Sequence, residues 1–454
     1  MANSFAYIAI SLWPLAVFTL LIRVGVVKGI FVATMLSYLL LPVGFEINFP
    51  GIPAFNKASV TSISVLLFLI FKRKGIGISE LSLKVKFLLI IMVISPFLTV
   101  MANNDQYLHI PGISLYDGLS QTVGALLVFI PFLFGYKFFR TKESHVLVLR
   151  YFVIMVLFYS VLIIYEIRMS PQLHTMLYGY FPHSFVQQFR EGGFRAVVFL
   201  GHGLLVALLL SVAFLISTIL WRSKIKVSSL FNNNVAVVVF LLILLILSKS
   251  YGALLIGIVG FVFLRFFSQK TIFLISYILL STYLVYPVLS ATNVFPHDQV
   301  VSVVNSFNPA RAQSLQFRFY HENQLLLHAN EKPLLGWGGW GRNRIFDPET
   351  FADLSVTDGR WIITLGTKGW VGFLVEFLFI AISVLYASKA ASILNRNKET
   401  RGDAFMITGH ALIVSLILID QIPNSSLNYF YWLFIGILYG RSYAVVHEKA
   451  NIST

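Results

Sequence analysis

The chain has 454 residues, 57% hydrophobic and only 12% charged, with no cysteine and a formal net charge of +15. A soluble domain of this length needs more polar surface, so the composition points to an all-α polytopic integral membrane protein. Without cysteine there are no disulfides, thiolate metal sites or cysteine nucleophiles, and the placement of the basic residues argues against nucleic acid as a partner.

Apolar runs of roughly 17 to 22 residues suit single helical spans. They fall near 5–22, 26–43, 58–71, 86–102, 119–136, 148–167, 196–220, 232–248, 251–267, 271–289, 361–387, 404–420 and 428–445. The first run lacks a basic leading region and a small-residue cleavage site, so it reads as a retained span and not a signal peptide. Val235 to Phe267 as one helix would be about 50 Å long, too long for a bilayer core. The polar break Ser248-Lys249-Ser250 is therefore read as a hairpin tip.

The connections alternate in charge. FKRKGIGISELSLKVK, KFFRTKESHVLVLR, WRSKIK, RFFSQK and SKAASILNRNKETR fall on one side together with Arg23, Lys28 and the tail, and that side carries 22 of the 34 Lys and Arg residues. By the positive-inside rule it is cytoplasmic, and its charge also attracts anionic lipid. LPVGFEINFPGIPAFNKA, NNDQYLHIPGISLYDG, the 168–195 loop, 291–360 and DQIPNSS face outward. The expected topology has 13 spans (range 12–14), an outside N-terminus and an inside C-terminus. It divides into an N-terminal membrane domain over 1–290, a large outward loop of helices over 291–360 between the tenth and eleventh spans, and C-terminal spans with a tail over 361–454.

Two outward segments are rich in arginine, the residue suited to bidentate phosphate recognition. Arg190 and Arg195 flank Gly192-Gly193, ahead of a span expected to hold His202 in its first turns. Arg311, Arg318, Arg342, Arg344 and Arg360 lie in the 291–360 loop. Their concentration where positive charge is normally depleted points to an anionic substrate. The alternative is that they pair with Asp347, Glu349, Asp353 and Asp358, or touch lipid headgroups. Ala310 to Asn330 reads as a helix starting after Asn308-Pro309. At about 100° per residue, Arg311, Arg318 and Glu322 share a face, with His321 and His328 on an adjoining stripe. Leu315, Phe319 and Leu326 would pack it on the membrane domain. The helix then either lies on the bilayer or walls a cavity and projects Arg318 into it.

Gly336-Trp337-Gly338-Gly339-Trp340-Gly341 fits G-x-G-x-x-G literally, but a dinucleotide site needs a strand before it and a βαβ unit, so the match is rejected. His321-Glu322 begins like H-E-x-x-H, but position 325 is leucine, and no metal is expected. Trp337 and Trp340 suit sugar stacking or an interface belt. Glu376 lies within a span, where a carboxylate is either functional or paired with a polar neighbour.

SKSYGALLIGIVGF, then an outward arginine shortly before KPLLGWGGWG, then TDGRWIITLGTKGWVGF together resemble the O-antigen ligase and Wzy-type polysaccharide polymerase superfamily. The resemblance covers roughly 190–380, while LPVGFEINFPGIPAFNK is similar to an early outward loop of exopolysaccharide polymerases. It implies a GT-C-like fold in the bacterial cytoplasmic (inner) membrane, with the large loop periplasmic. The implied activity is a cofactor-free, metal-independent glycosyl transfer from a polyprenyl (undecaprenyl) pyrophosphate carrier to a sugar hydroxyl of another lipid-linked repeat unit. A chain-length regulator and a flippase are implied partners. The arginine opening the loop helix corresponds to Arg318, and the one ahead of the middle span to Arg195, with Arg190 competing. These would clamp pyrophosphate, helped by Arg360. Ligases place a histidine eleven residues before the closing glycine. Counting back from Gly369, that place is Asp358, which favours a polymerase over a ligase that transfers glycan to lipid A core. Asp358 would orient or deprotonate the acceptor, with Glu322 and His321 as alternatives. A lipid-linked oligosaccharide flippase or other transporter is the reading from a different class. It lacks support from internal repeats or mid-membrane charge.

Overall fold

The protein is described by a computed structural model covering residues 2–49, 52–190 and 192–450. Pro50 and Gly51 of the first outward loop and residues 451–454 of the expected tail lie outside the described residues. In chain order the elements are α1 (Ser4–Val24), α2 (Val26–Leu40), the pair β1 (Ile47–Phe49) and β2 (Ile52–Phe55), then α3 (Lys57–Phe71) and α4 (Leu83–Met101). Next come α5 (Leu115–Phe138), α6 (Lys142–Met169), α7 (Leu173–Tyr178), the pair β3 (Phe189–Arg190) and β4 (Gly193–Phe194), and α8 (Gly203–Arg222). The chain continues through α9 (Asn234–Leu247), α10 (Tyr251–Phe266), α11 (Gln269–Ala291), α12 (His297–Phe307), α13 (Pro309–Glu331), α14 (Arg360–Leu394), α15 (Arg401–Asp420) and α16 (Tyr429–Ala450).

Each of the thirteen predicted apolar runs is helical over most of its length. Among the described residues eight helices, α1, α4, α5, α6, α8, α11, α14 and α15, are long and apolar enough to cross a membrane; α2, α3, α9 and α10 are shorter apolar helices. The expected hairpin tip holds, with α9 and α10 separated by a left-handed Lys249 at φ 52°. One boundary differs. Residues 196–202 are not helical, and His202 is the N-cap of α8 with extended backbone. An apolar stretch buried as irregular turns, with Val198 at φ 48° and Gly201 at φ 90°, carries the same sequence signal as the start of a helix.

The connections sort into two ends. At one, Glu80 pairs with Lys137 and Arg140, and Arg441 pairs with Asp403 while donating to the Arg140 carbonyl. At the other, Lys57 Nζ donates to the Tyr38 and Phe199 carbonyls, and Lys332 Nζ to the Ala102 carbonyl. These are the two sets separated by charge in the sequence. Between them, α5 and α16 cross closely: a Cβ on Gly436 would lie 2.2 Å from the Phe132 carbonyl oxygen, and one on Gly440 2.6 Å from that of Tyr136. This is the small-residue packing that lets spans approach backbone to backbone.

The glycine-rich turn after α13 docks on a break in α14. Gly369 has φ 60° and ψ −167°, a conformation essentially restricted to glycine. The broken ladder is re-satisfied across the turn. Trp337 and Gly338 amides donate to the Gly366 and Thr367 carbonyls at 2.8 and 3.0 Å, and Trp370 and Val371 amides donate to Pro333 and Leu334 at 2.8 and 3.1 Å. The G-x-G-x-x-G string is thus a backbone clasp. Trp337 is buried in it, stacked on His328 at 4.4 Å with its indole N–H on the His328 carbonyl, so it serves neither belt nor sugar; Trp340 is exposed.

Candidate functional site

At the end carrying Lys57 and Lys332, a cavity of about 660 Å³ opens between the start of α8, the α9–α10 tip, α12–α13 and the α15–α16 loop. Arg190, Arg195, Lys249, Arg311 and Arg318 all line it. Arg195 is fully buried, and the chain around it is anchored from beneath. The Glu166 carboxylate, at the end of α6, accepts the Val197 and Val198 amides at 2.8 and 2.7 Å, and the Tyr159 hydroxyl accepts that of Phe199. The Arg195 amide donates to the Gln188 carbonyl. Gly203 leaves room for the arginine, since a Cβ there would sit 3.2 Å from its Nε.

Arg190 sits on the β3–β4 hairpin, and its carbonyl accepts Lys249 Nζ at 2.9 Å. A Cβ on Gly193 would lie 2.5 Å from that ammonium, so the second glycine of the pair makes room for the lysine. On α13, Asn308 caps the helix and Pro309 starts it, as the sequence predicts. Arg311 lies over the Tyr251 ring at 5.1 Å. Arg318 Nε is 3.1 Å from Asp358, and its Nη1 donates to the Pro423 carbonyl. That loop is fixed by Asp420, which accepts from Asn424 at 2.9 Å and Ser426 at 2.7 Å.

Beside this cluster, buried Glu322 accepts the Tyr286 hydroxyl at 3.1 Å. Burial pushes its carboxyl up to about 7, against the opposing pull of the Tyr286 hydroxyl and Arg318. His202 is pushed down to about 3, first by burial and then by Arg195 and the other neighbouring cations, so its Nδ1 stays an acceptor for the Leu204 amide. The opposite wall is apolar and open, with Leu255 and Phe307 exposed. A concave site with clustered cations and an apolar flank suits a phosphate head attached to a lipid chain.

Of the residues singled out in the sequence, Arg190, Arg195 and Arg318 meet in this cavity, Asp358 joins through Arg318, and Glu322 lies alongside. Four stand elsewhere. His321 is buried against Phe317, with ring centroids 4.3 Å apart. Arg360 grips Glu376 with Nε and Nη2 at 2.8 and 2.9 Å and lines a separate cavity. Arg344 pairs with Asp353, and Arg342 donates to the Pro111 carbonyl, so these two serve the loop itself. Lys249, Glu166 and the 420–426 network were missed. The one local signal was Lys249, a lone cation at the tip of an apolar hairpin. No protein-family model matches this chain, and no curated protein matches it.

Proposed function

We propose that the protein is a membrane-embedded glycan polymerase acting at the periplasmic face of a bacterial inner membrane through thirteen spans of GT-C-like arrangement. It transfers a growing O-antigen or exopolysaccharide chain from a polyprenyl pyrophosphate carrier to a sugar hydroxyl of another lipid-linked repeat unit. The observation that carries this reading is the gathering of Arg190, Arg195, Lys249, Arg311 and Arg318 in one cavity with an apolar open side. In the reaction the acceptor oxygen bonds to the anomeric carbon as the bond from that carbon to the pyrophosphate oxygen breaks. The hydroxyl proton passes to a carboxylate. Charge builds on the departing pyrophosphate, where Arg195 and Arg318 stabilise it. The base is Glu322 or Asp358, both within the electrostatic reach of Arg318.

Glu322 titrates close to working pH, the range in which a general base is effective. Turnover is expected to rise as pH passes through about 7, and Glu322→Gln should flatten that limb in a pH–rate profile. Stability carries the opposite sign. A carboxyl raised on folding contributes its full stability below the ordinary carboxylate range and loses it as pH rises to about 7. Glu322→Gln should therefore melt higher than the parent at pH 8 and equally at pH 4.

Deleting the gene and resolving surface polysaccharide on a gel tests the reaction class. Single repeat units in place of long chains are the expected result. Bare lipid A core with polymer still on its carrier would make it a ligase instead. An unchanged ladder would remove glycan assembly altogether.

A further inference from the structure

A second cavity, of about 400 Å³, lies between α4, α5, α14 and α16. The 421–428 loop lies between it and the arginine cavity: Pro423 and Asn424 line the latter, and the Leu427 carbonyl accepts Arg360 of the former. Along α5 the lining runs from Gln121 to Phe129, about 12 Å of helix, starting near the end that carries the glycine-rich turn. Its mouth is polar: a Cβ on Gly339 would meet the Gln121 amide nitrogen at 2.9 Å. Its far end is aromatic, closed by Phe129, Phe379 and Trp432.

Three charged residues line this space: Arg360, Glu376 and Lys368. The first two neutralise each other in a bidentate pair, which fixes both ends of the guanidinium. Lys368 makes no hydrogen bond or close ion pair among the described residues. The lining therefore carries one net positive charge, with Glu376 shared between Arg360 at close range and Lys368 at longer range. A cation in such surroundings is costly unless an anion reaches it. The lining suits the head of an amphiphile, since Gln121 and the charged groups share the cavity with the aromatic side chains of Phe129, Phe379 and Trp432. Gly124, exposed and with no atom within 4 Å of a built Cβ, leaves a gap in the α5 wall.

We propose that this cavity binds the phosphate headgroup of an anionic lipid, with Lys368 and Gln121 holding the head and the aromatic end receiving the start of the chain. The site is distinct from the arginine cavity and does not depend on the reaction proposed above.

The test uses the purified full chain in neutral detergent. Binding is read by native mass spectrometry and melting temperature against dioleoyl phosphatidic acid, dioleoyl phosphatidylcholine and inorganic phosphate. Phosphatidic acid should be retained and raise the melting temperature more than phosphatidylcholine or phosphate. Lys368→Met should weaken it about tenfold, the effect of one charge-assisted contact. Gly124→Phe, which leaves every charge in place and fills open space, should abolish the retention that survives Arg195→Ala, and it decides the question should Lys368→Met fail to fold. These variants are compared in an Arg195→Ala background, which weakens the other cavity and in which retention through this one should persist. Equal retention of phosphatidylcholine, an equal effect of free phosphate, or binding that follows Arg195 and ignores Gly124→Phe would each overturn the proposal.

Discussion

Arg318→Ala is expected to abolish long-chain polysaccharide while the protein still inserts and folds, and Arg195→Ala should do the same. Each guanidinium is a preformed donor at the position where pyrophosphate charge would grow. Loss of one such donor costs about 3 kcal/mol of transition-state stabilisation, roughly a hundredfold in rate. The two variants should differ in stability. Arg318 is half-buried and holds Asp358 and the Pro423 carbonyl, so its loss frees a partly exposed carboxylate that water can solvate. Arg195 is fully buried beneath the start of α8, and its loss leaves a void. The gel readout should be supported by the melting temperature of each purified variant. Polymer of normal length in both would remove the arginine cavity from the reaction, and a folded Arg318→Lys with partial activity would separate charge from fork geometry.

The largest expected effect on folding is that of Gly369→Ala. A Cβ at that position would lie 2.3 Å from both the carbonyl carbon and oxygen of Leu334, in a backbone conformation closed to alanine. Relieving the clash requires the turn to leave α14, breaking four backbone hydrogen bonds between them. Strain and lost bonds together amount to about 3 to 5 kcal/mol, a large share of the stability of an ordinary domain. The variant should be recovered poorly and melt well below the parent. Gly402→Ala, with open space around its Cβ, is the matched control and should melt at or slightly above the parent. A Gly369→Ala protein as stable as Gly402→Ala would show that the clasp contributes nothing.

Much of the helical layout was legible because long apolar runs have one principal use in a lipid environment. The start of α13 was legible because Asn308 and Pro309 state it locally. Arg318 stood out from charge where charge is depleted. What stayed hidden depends on partners distant in sequence. Nothing around Glu166 indicates that its carboxylate holds the amides of Val197 and Val198. The apolar stretch ahead of Gly203 looked helical because burial leaves the same pattern whether the chain is helical or folded into irregular turns. Arg360 was assigned to pyrophosphate because Glu376 lies sixteen residues on, about 24 Å along a straight helix. Only the break at Gly369 folds α14 enough for the two to touch, and the hint was a glycine inside an apolar run.

That break also divides the labour within α14. Were the helix one rod, its outer end would report the position of its inner end, and every shift in the bundle would be levered into the arginine cavity. Interrupted at Gly369 and stapled to the 333–338 turn, the outer segment belongs mechanically with α13 and the 421–428 loop, while the inner segment belongs with α15 and α16. The Arg360–Glu376 pair is then the strut across the elbow. It holds the outer segment, with Asp358 just ahead of it and paired to Arg318 on α13, at one angle to the inner segment.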